Sequence, residues 1–343
     1  MLKKHSILLL SKLQINARKS LLENLKKLFE ENEIFIKGKY KIFSTPNRLL
    51  VHIDNITKHI YKKPEEIRGP NINSPDKALE GFLRSNNINK AQVFIKKTEK
   101  GEFYFYKKPS QKIDTANLLK ENIPIVLSKI AWNKSMKWGD HNLFWGRPLK
   151  SILCIFDSKT INFNFNHLKS SNTTFIDKEL EENTKSFNSF KSYNSFFKSQ
   201  QVLIDQDKRK LFILNEIIKL SKKKKFKINL KKELLDEITN IVEKPKILFC
   251  EFDKKYLKIP KEILIITMQN HQKYFPTFDN KDNLTNNFIV VADKKDSKGY
   301  VKSGNERVIE ARLNDAEFFW KKNRSQNLVK QVSKLKNINY FKG

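Results

Sequence analysis

The stretch YKIFSTPNRLLVHIDNI, residues 40–56, constrains the fold more than any other part of the chain. Two apolar runs meet at a corner containing Pro46, which reads as strand, tight corner, strand. A connection that short joins antiparallel neighbours, because parallel strands need a crossover of a dozen or more residues. The signal recurs. AQVFIKKTEKGEFYFYKK places strand-like runs on either side of Lys100-Gly101, and SILCIFDSKTINFNF reads as a further hairpin. Strand-like pieces return at KILFCEF, KYFPTF and NFIVVAD, with a short helix from Pro260 to Gln269 between the first two. Hairpins mixed with helices in no regular alternation point to an α+β fold with mixed or antiparallel sheets and packed helices, rather than a doubly wound sheet.

Helical periodicity fills the gaps. The start, MLKKHSILLL, has a short apolar run without a small-residue cleavage site and reads as a first strand rather than a signal peptide. After it, Leu21, Leu25, Leu28 and Phe29 mark an amphipathic helix. In GPNINSPDKALEGFLRSNNI, Ser74 is the expected N-cap, Pro75 the first helical residue, and Asn86 and Asn87 the stop. Residues 114–131 suggest a helix interrupted near Pro124, and 187–241 a charged, mostly helical segment. The KKKKFK run within it reads as a solvated helix end. Near the C-terminal end, SGNERVIEARLNDAEFFWKKN sets Ile309, Leu313, Ala316 and Trp320 on one helical stripe, with Glu310, Asn314, Glu317 and Lys321 on another.

A formal charge of +31, from 68 Lys+Arg against 37 Asp+Glu, favours a polyanionic partner through counterion release. The excess is mostly Lys and travels with abundant Asn, Ile and Phe and only 9 Gly, the residue usage of AT-rich coding, so charge alone does not decide the partner. Cys154 and Cys250 lie in apolar runs and read as core thiols of a reducing compartment. No run of about 18 apolar residues marks a membrane span.

Several chemistries are excluded. Gly299 and Gly304 have phosphate-loop spacing, but Asn305 and Glu306 stand where Lys and Ser or Thr are required. DNKDN at 279–283 lacks the alternating ligands and central glycine of a calcium loop and reads as a hairpin turn. The six histidines form no zinc spacing, and no nucleophile elbow occurs. No catalytic residue and no metal site are assigned. What remains is basic residues beside aromatics at tight corners. SMKWGDHNLFWGRPLK carries Lys137, Trp138, Trp145, Arg147 and Lys150 between glycines 139 and 146; it is open between base stacking with phosphate contacts and core tryptophans with an internally paired arginine. Arg48 in TPNRLLV, Arg68 in IRGPN and Lys273 in HQKYFP sit at proline-marked corners, as binding groups or structural partners. His271, between a helix and a strand, reads as a hydrogen-bonded structural residue, or else as the one polar centre that a general base would need.

Read in order, STPNRLLV, IRGPN with ALEGFLR, KGEFYF, MKWGDHNLFWGRPL, the long block from Leu234 to Pro276, LTNNFIVVAD and SGNERVIEARLNDAEFFW resemble the N-terminal half of the β subunit of bacterial-type tetrameric glycyl-tRNA synthetase. The resemblance implies an α+β region at 1–302 similar to the B3/B4 module of phenylalanyl-tRNA synthetase. At 303–343 it implies a helical junction opening a truncated HD-like domain. It implies a cytoplasmic, non-catalytic subunit, truncated or split, that supports ATP-dependent attachment of glycine to tRNA(Gly). ATP and Mg are expected at the separate α subunit, with no cofactor in this chain. The implied partners are that α subunit and tRNA(Gly), in an α2β2 assembly if the missing half is supplied. Arg48, Arg68, Lys137, Arg147, His271, Lys273, Arg307 and Arg312 are the expected tRNA or subunit contacts. Asn305, Glu306, Arg307, Arg312 and Asp315 coincide with the family's pattern, as a fixed network or a partner contact. Two family elements are lost: Lys12, Gln14 and Asn16 replace a Glu-Glu-Ile-Pro element, and SSNTTFIDKEL replaces Gly-His-Arg-Phe. The rival readings are a stand-alone tRNA-editing hydrolase and a non-functional fragment.

Overall fold

The computed structural model describes residues 2–176 and 183–326, with side chains from Ser11 onward. The fold is α+β, with antiparallel sheets and packed helices. Its start corrects the expected first strand: α1 runs unbroken from Leu2 to Glu31. No Gly or Pro occurs before Gly38, and the apolar run is leucine-rich, so nothing separates it from the helix that follows. Leu13, Ala17, Leu21, Leu25, Leu28 and Phe29 form the buried stripe. The helix stops where Glu33 turns left-handed at φ 54° and the Ile34 N–H donates to the Phe29 carbonyl at 2.9 Å.

The corner at Pro46 is a hairpin as expected, with β1 (Tyr40–Thr45) antiparallel to β2 (Arg48–Ile53) and Thr45 opposite Arg48. β3 (His59–Lys62) pairs with a later strand, Gln111–Asp114. Between them lies a small three-stranded sheet of β4 (Glu65–Asn71), β5 (Val93–Thr98) and β6 (Gly101–Lys108), with β6 in the centre. Helix α2 (Asp76–Asn86) packs on it. Its cap shifts by one residue from the expectation: Pro75 is the N-cap, because Ser74 is held in the preceding turn by the Asn71 carbonyl. The stop falls at Asn87, left-handed at φ 52°. α3 (Thr115–Ser128), capped by the Asp114 side chain, runs through Pro124 without interruption. Lys120 and Pro124 both line an open groove, so the bond that the proline forfeits is lost on the solvent side of the helix. α1, β1, β2, β3 and α3 share one core with Trp145, Ile161, Phe163 and Phe165, to which the small three-stranded sheet and α2 contribute no residue.

The second half is built around the strand Leu284–Ala292, which pairs with Lys246–Glu251 on one side and Phe275–Phe278 on the other. Its alternate residues are buried on opposite faces, which is why it reads as a continuous apolar run. Ile289 and Val291 meet α5 (Gln206–Lys224) and α6 (Lys232–Ile241) through Ile213, Ile217, Leu234 and Ile238. Phe288 and Val290 meet α7 (Lys261–Ile266) and α8 (Tyr300–Ser325) through Leu264, Ile309 and Leu313. Trp320 packs against that side, so the expected stripe on α8 faces the sheet. α4 (Phe190–Ser199) covers β1 and β2 through Phe197, Phe187 and Phe43. Residues 327–343, within the expected HD-like segment, and 177–182, within SSNTTFIDKEL, lie outside the described residues. Among the described residues no helix is long and apolar enough to cross a membrane.

The two halves join through Arg209, fully buried at the start of α5. Its guanidinium donates to the carbonyls of Thr239 (2.7 Å), Leu203, Ile204 (3.2 Å) and, across the molecule, Ser44 (2.9 Å). Burial pulls its pKa down to about 10, and the nearby Glu243 carboxylate supports its charge. Replacing Arg209 by Met leaves these carbonyls without their donor. It is expected to cost about 3–5 kcal/mol of unfolding free energy, measured by urea denaturation. The thiols of Cys154 and Cys250, pushed up to about 12 by burial, are expected to resist iodoacetamide near pH 8 in the native chain. Both should alkylate fully once urea has unfolded it.

Candidate functional site

The Ser44–Arg48 corner is encircled by arginines. Arg18 of α1 donates to the Ser44 hydroxyl, and Arg209 to the Ser44 carbonyl. Arg147 donates to the Pro46 carbonyl at 2.7 Å. Arg48 turns inward: its guanidinium donates to the Phe175 and Ile176 carbonyls at 3.0 and 3.3 Å and lies 4.0 Å over the Phe197 ring. The Thr45 hydroxyl donates to the buried Glu243 carboxylate at 2.8 Å, and Asp293 accepts from the backbone N–H groups of Glu243 and Lys244. Gln14, where the resemblance expected an acidic element, bridges α1 to this corner. Its amide donates to the Asn240 carbonyl and its oxygen accepts from the Ser44 hydroxyl. Burial lowers the pKa of both Arg18 and Arg147.

The segment SMKWGDHNLFWGRPLK divides. Trp145 is buried against Trp132 and Phe165, and the Trp138 indole donates to the Trp145 carbonyl, so its tryptophans are core. Arg147, still exposed along its side chain, satisfies a carbonyl and not the carboxylate considered for it. Lys137 is exposed.

His271 and Lys273, two residues apart, face different surroundings. They flank the end of a π turn, Thr267–Gln272, which inserts an extra residue after α7. Lys273 is left-handed at φ 63°, and its buried ammonium lies 2.8 Å from the buried Glu237 carboxylate of α6. That placement commits Lys273 to an internal ion pair and takes it off the surface. His271 lines an open groove of about 470 Å³ with Ile266, Thr267, Phe319, Trp320 and Arg324. No carboxylate or cysteine lines it. Among the described residues no group of three or more His, Cys, Asp or Glu could hold a metal ion.

On α8, polar side chains tie the helix to the sheet and to the turn that holds Tyr256. The Tyr274 hydroxyl donates to Asn305, the Tyr256 hydroxyl to Asn314, and the Glu251 N–H to Glu306. Burial raises the Tyr274 pKa. Arg307, Arg312 and Asp315 are exposed, and among the described residues no ion pair joins the last two. The exposed cations among the expected contacts are therefore Arg68, Lys137, Arg147, Arg307 and Arg312. The structure does not gather them at one spot: Arg147 sits at the corner, Arg307 and Arg312 on α8, and Arg68 on the small sheet.

Sequence reasoning passed over Arg209, Glu243 and Glu237. Two of them had a signal: Arg209 precedes Ile213 and Ile217 at spacings of four, and Glu237 falls between Leu234 and Ile241 on the buried face of α6. A charge on an apolar stripe announces a buried partner.

The family model described as glycyl-tRNA synthetase beta subunit matches residues 10–343. The chain belongs to that family. It is similar to the glycine–tRNA ligase beta subunit of Rickettsia canadensis, with 33% identity over 324 residues, 94% of this chain and 48% of that protein. The beta subunit of Rickettsia conorii is 32% identical over 96% of this chain and 49% of its own length. That of Rickettsia prowazekii is 32% identical over 95% and 49%. The chain thus spans about half the length of the beta subunits that it matches.

The Lys273–Glu237 pair yields a direct test. Lys273→Ala strands a buried carboxylate and is expected to cost about 3–5 kcal/mol in chemical denaturation. The double replacement Lys273→Met with Glu237→Leu should lose less than Lys273→Ala alone, because no buried charge is then left unpaired.

Proposed function

We propose that this chain works as a glycine–tRNA ligase beta subunit, supporting ATP-dependent attachment of glycine to tRNA(Gly). It does so without a catalytic group of its own, by holding tRNA and the catalytic alpha subunit. The observation that carries this reading is the family match over residues 10–343. The geometry fits it in two respects. The rigid interior is stitched by inward-facing arginines, which fixes the surfaces on which Arg68, Lys137, Arg307 and Arg312 stand exposed. The groove beside His271 is lined mostly by apolar side chains, Ile263, Ile266, Phe319 and Trp320 among them, as suits a binding surface. ATP and Mg belong to the alpha subunit in this reading, and the assembly is cytoplasmic.

Phosphate contacts release counterions, so tRNA affinity should fall steeply with salt. Arg68→Glu, Lys137→Glu and Arg312→Glu combined are expected to weaken tRNA(Gly) binding by about tenfold or more and to flatten the log–log salt slope by about two units or more. Filter binding across a salt series reads both, and co-purification with a tagged alpha subunit reads the second contact. Unchanged affinity and slope in the triple variant would reassign these residues to structure.

A further inference from the structure

The small sheet of β4, β5 and β6 has one face covered by α2 and one face of unusual content. Directly paired residues in antiparallel strands share a face. One row therefore runs Arg68–Phe105–Phe94 across β4, β6 and β5. The next runs Asn71–Phe103–Lys96, and Glu66 faces Lys107 on the other side of the first row. The helix lies on the opposite face: a bulge between Arg68 and Asn71 puts Gly69 under α2, where an added Cβ would meet the Phe82 ring at 2.9 Å. Arg68, Phe94, Lys96 and Lys107 are exposed on the uncovered face. Of the three phenylalanines on this face Phe94 is exposed, Phe103 half-buried and Phe105 buried beneath its neighbours; an exposed ring among cations needs an explanation, since strands that face solvent ordinarily alternate to polar residues.

Cations and rings are layered there. The Arg68 guanidinium lies over the Phe103 ring, 3.6 Å from its centroid. Lys96 stands 5.5 Å over Phe105, and Phe94 stacks offset on Phe105 with centroids 6.1 Å apart. Glu66, the one carboxylate on this face, is already taken by Lys96 at 2.5 Å. Three cations against one paired carboxylate complement a phosphate chain, and not an acidic-poor apolar partner. The Arg68–Phe105–Phe94 row spans two strand spacings, about 10 Å. Sheet faces of this kind hold two or three unpaired bases on their rings, and an arginine plane held by an aromatic ring is a stacking surface as well.

We propose that this face is a stacking platform for unpaired RNA nucleotides. Bases lie on Phe94 and on the outer plane of Arg68, and Lys96 and Lys107 take the phosphates. The proposal deepens the tRNA reading and rests on it for the identity of the RNA, but not for the binding itself. Duplex RNA buries its base faces, so the platform selects single strands.

The test uses the full chain and a fluorescein-labelled single-stranded RNA of about 12 nucleotides, with a duplex of the same length and intact tRNA(Gly) alongside. Phe94→Ala is expected to weaken single-strand binding about fivefold or more without changing the salt slope, and to leave duplex binding untouched. Phe94→Trp should restore it, which separates stacking from any loss of fold. Arg68→Ala should weaken binding and flatten the slope by about one unit. Equal affinity for single strand and duplex, or wild-type affinity in Phe94→Ala, would overturn the platform even where tRNA still binds. Conversely, Phe94-dependent single-strand binding by a chain that ignores tRNA would keep the platform and remove the tRNA role.

Discussion

A buried guanidinium lies at the centre of the bonds that couple the two halves of the molecule. Arg209 is surrounded by carbonyls of Leu203, Ile204 and Thr239 within its own half and reaches Ser44 in the other. Carbonyl oxygens at a helix end and at a strand end would otherwise be buried without donors, and one planar fork supplies several at once. Apolar packing would give the two cores no fixed angle; directional bonds from a fully buried ion do. The neighbouring Glu243, tied to Thr45, keeps that ion charged in its desolvated setting.

The same logic sorts the chain's positive charge into two populations. Inside, Arg18, Arg48 and Arg209 donate to main-chain or hydroxyl oxygens, and Lys273 pairs with Glu237. Outside, lysines dominate, and several carry only exposed pairs such as Lys227 with Asp282, which are worth little to stability. A formal charge of +31 therefore overstates what is free to meet a polyanion. The part of the charge that the proposed platform draws on stands over rings of the small sheet, as Arg68 and Lys96 do.

Much of the architecture could be read from local pattern. The hairpins at Pro46 and at Gly101, the Asp279 turn and the α8 stripe all depend on neighbours a few residues away, and all are present. The first ten residues misled because a run of four apolar residues, 7–10, fits a strand or a helix equally, and only the unbroken continuation into Leu13 and Ala17 decides between them. Pro124 signalled a break, but the helix absorbs it on its open side. At the expected contacts the limits are different. For Lys273 and Arg48 the sequence left binding group and structural partner open, and a π turn and a neighbouring helix turn them inward. Those placements come from residues 36 and 127 positions away, a distance that no local period reports.

The link from Arg209 to Ser44 spans 165 residues of chain. On a ribosome that adds about 5–20 residues per second, the β1–β2 corner emerges roughly 10–30 s before its guanidinium partner. Through that interval the corner's carbonyls and the apolar surface behind them lack their permanent neighbours. The first half must wait, shielded by solvent or by a chaperone, and the molecule locks only after α5 and α6 have been made.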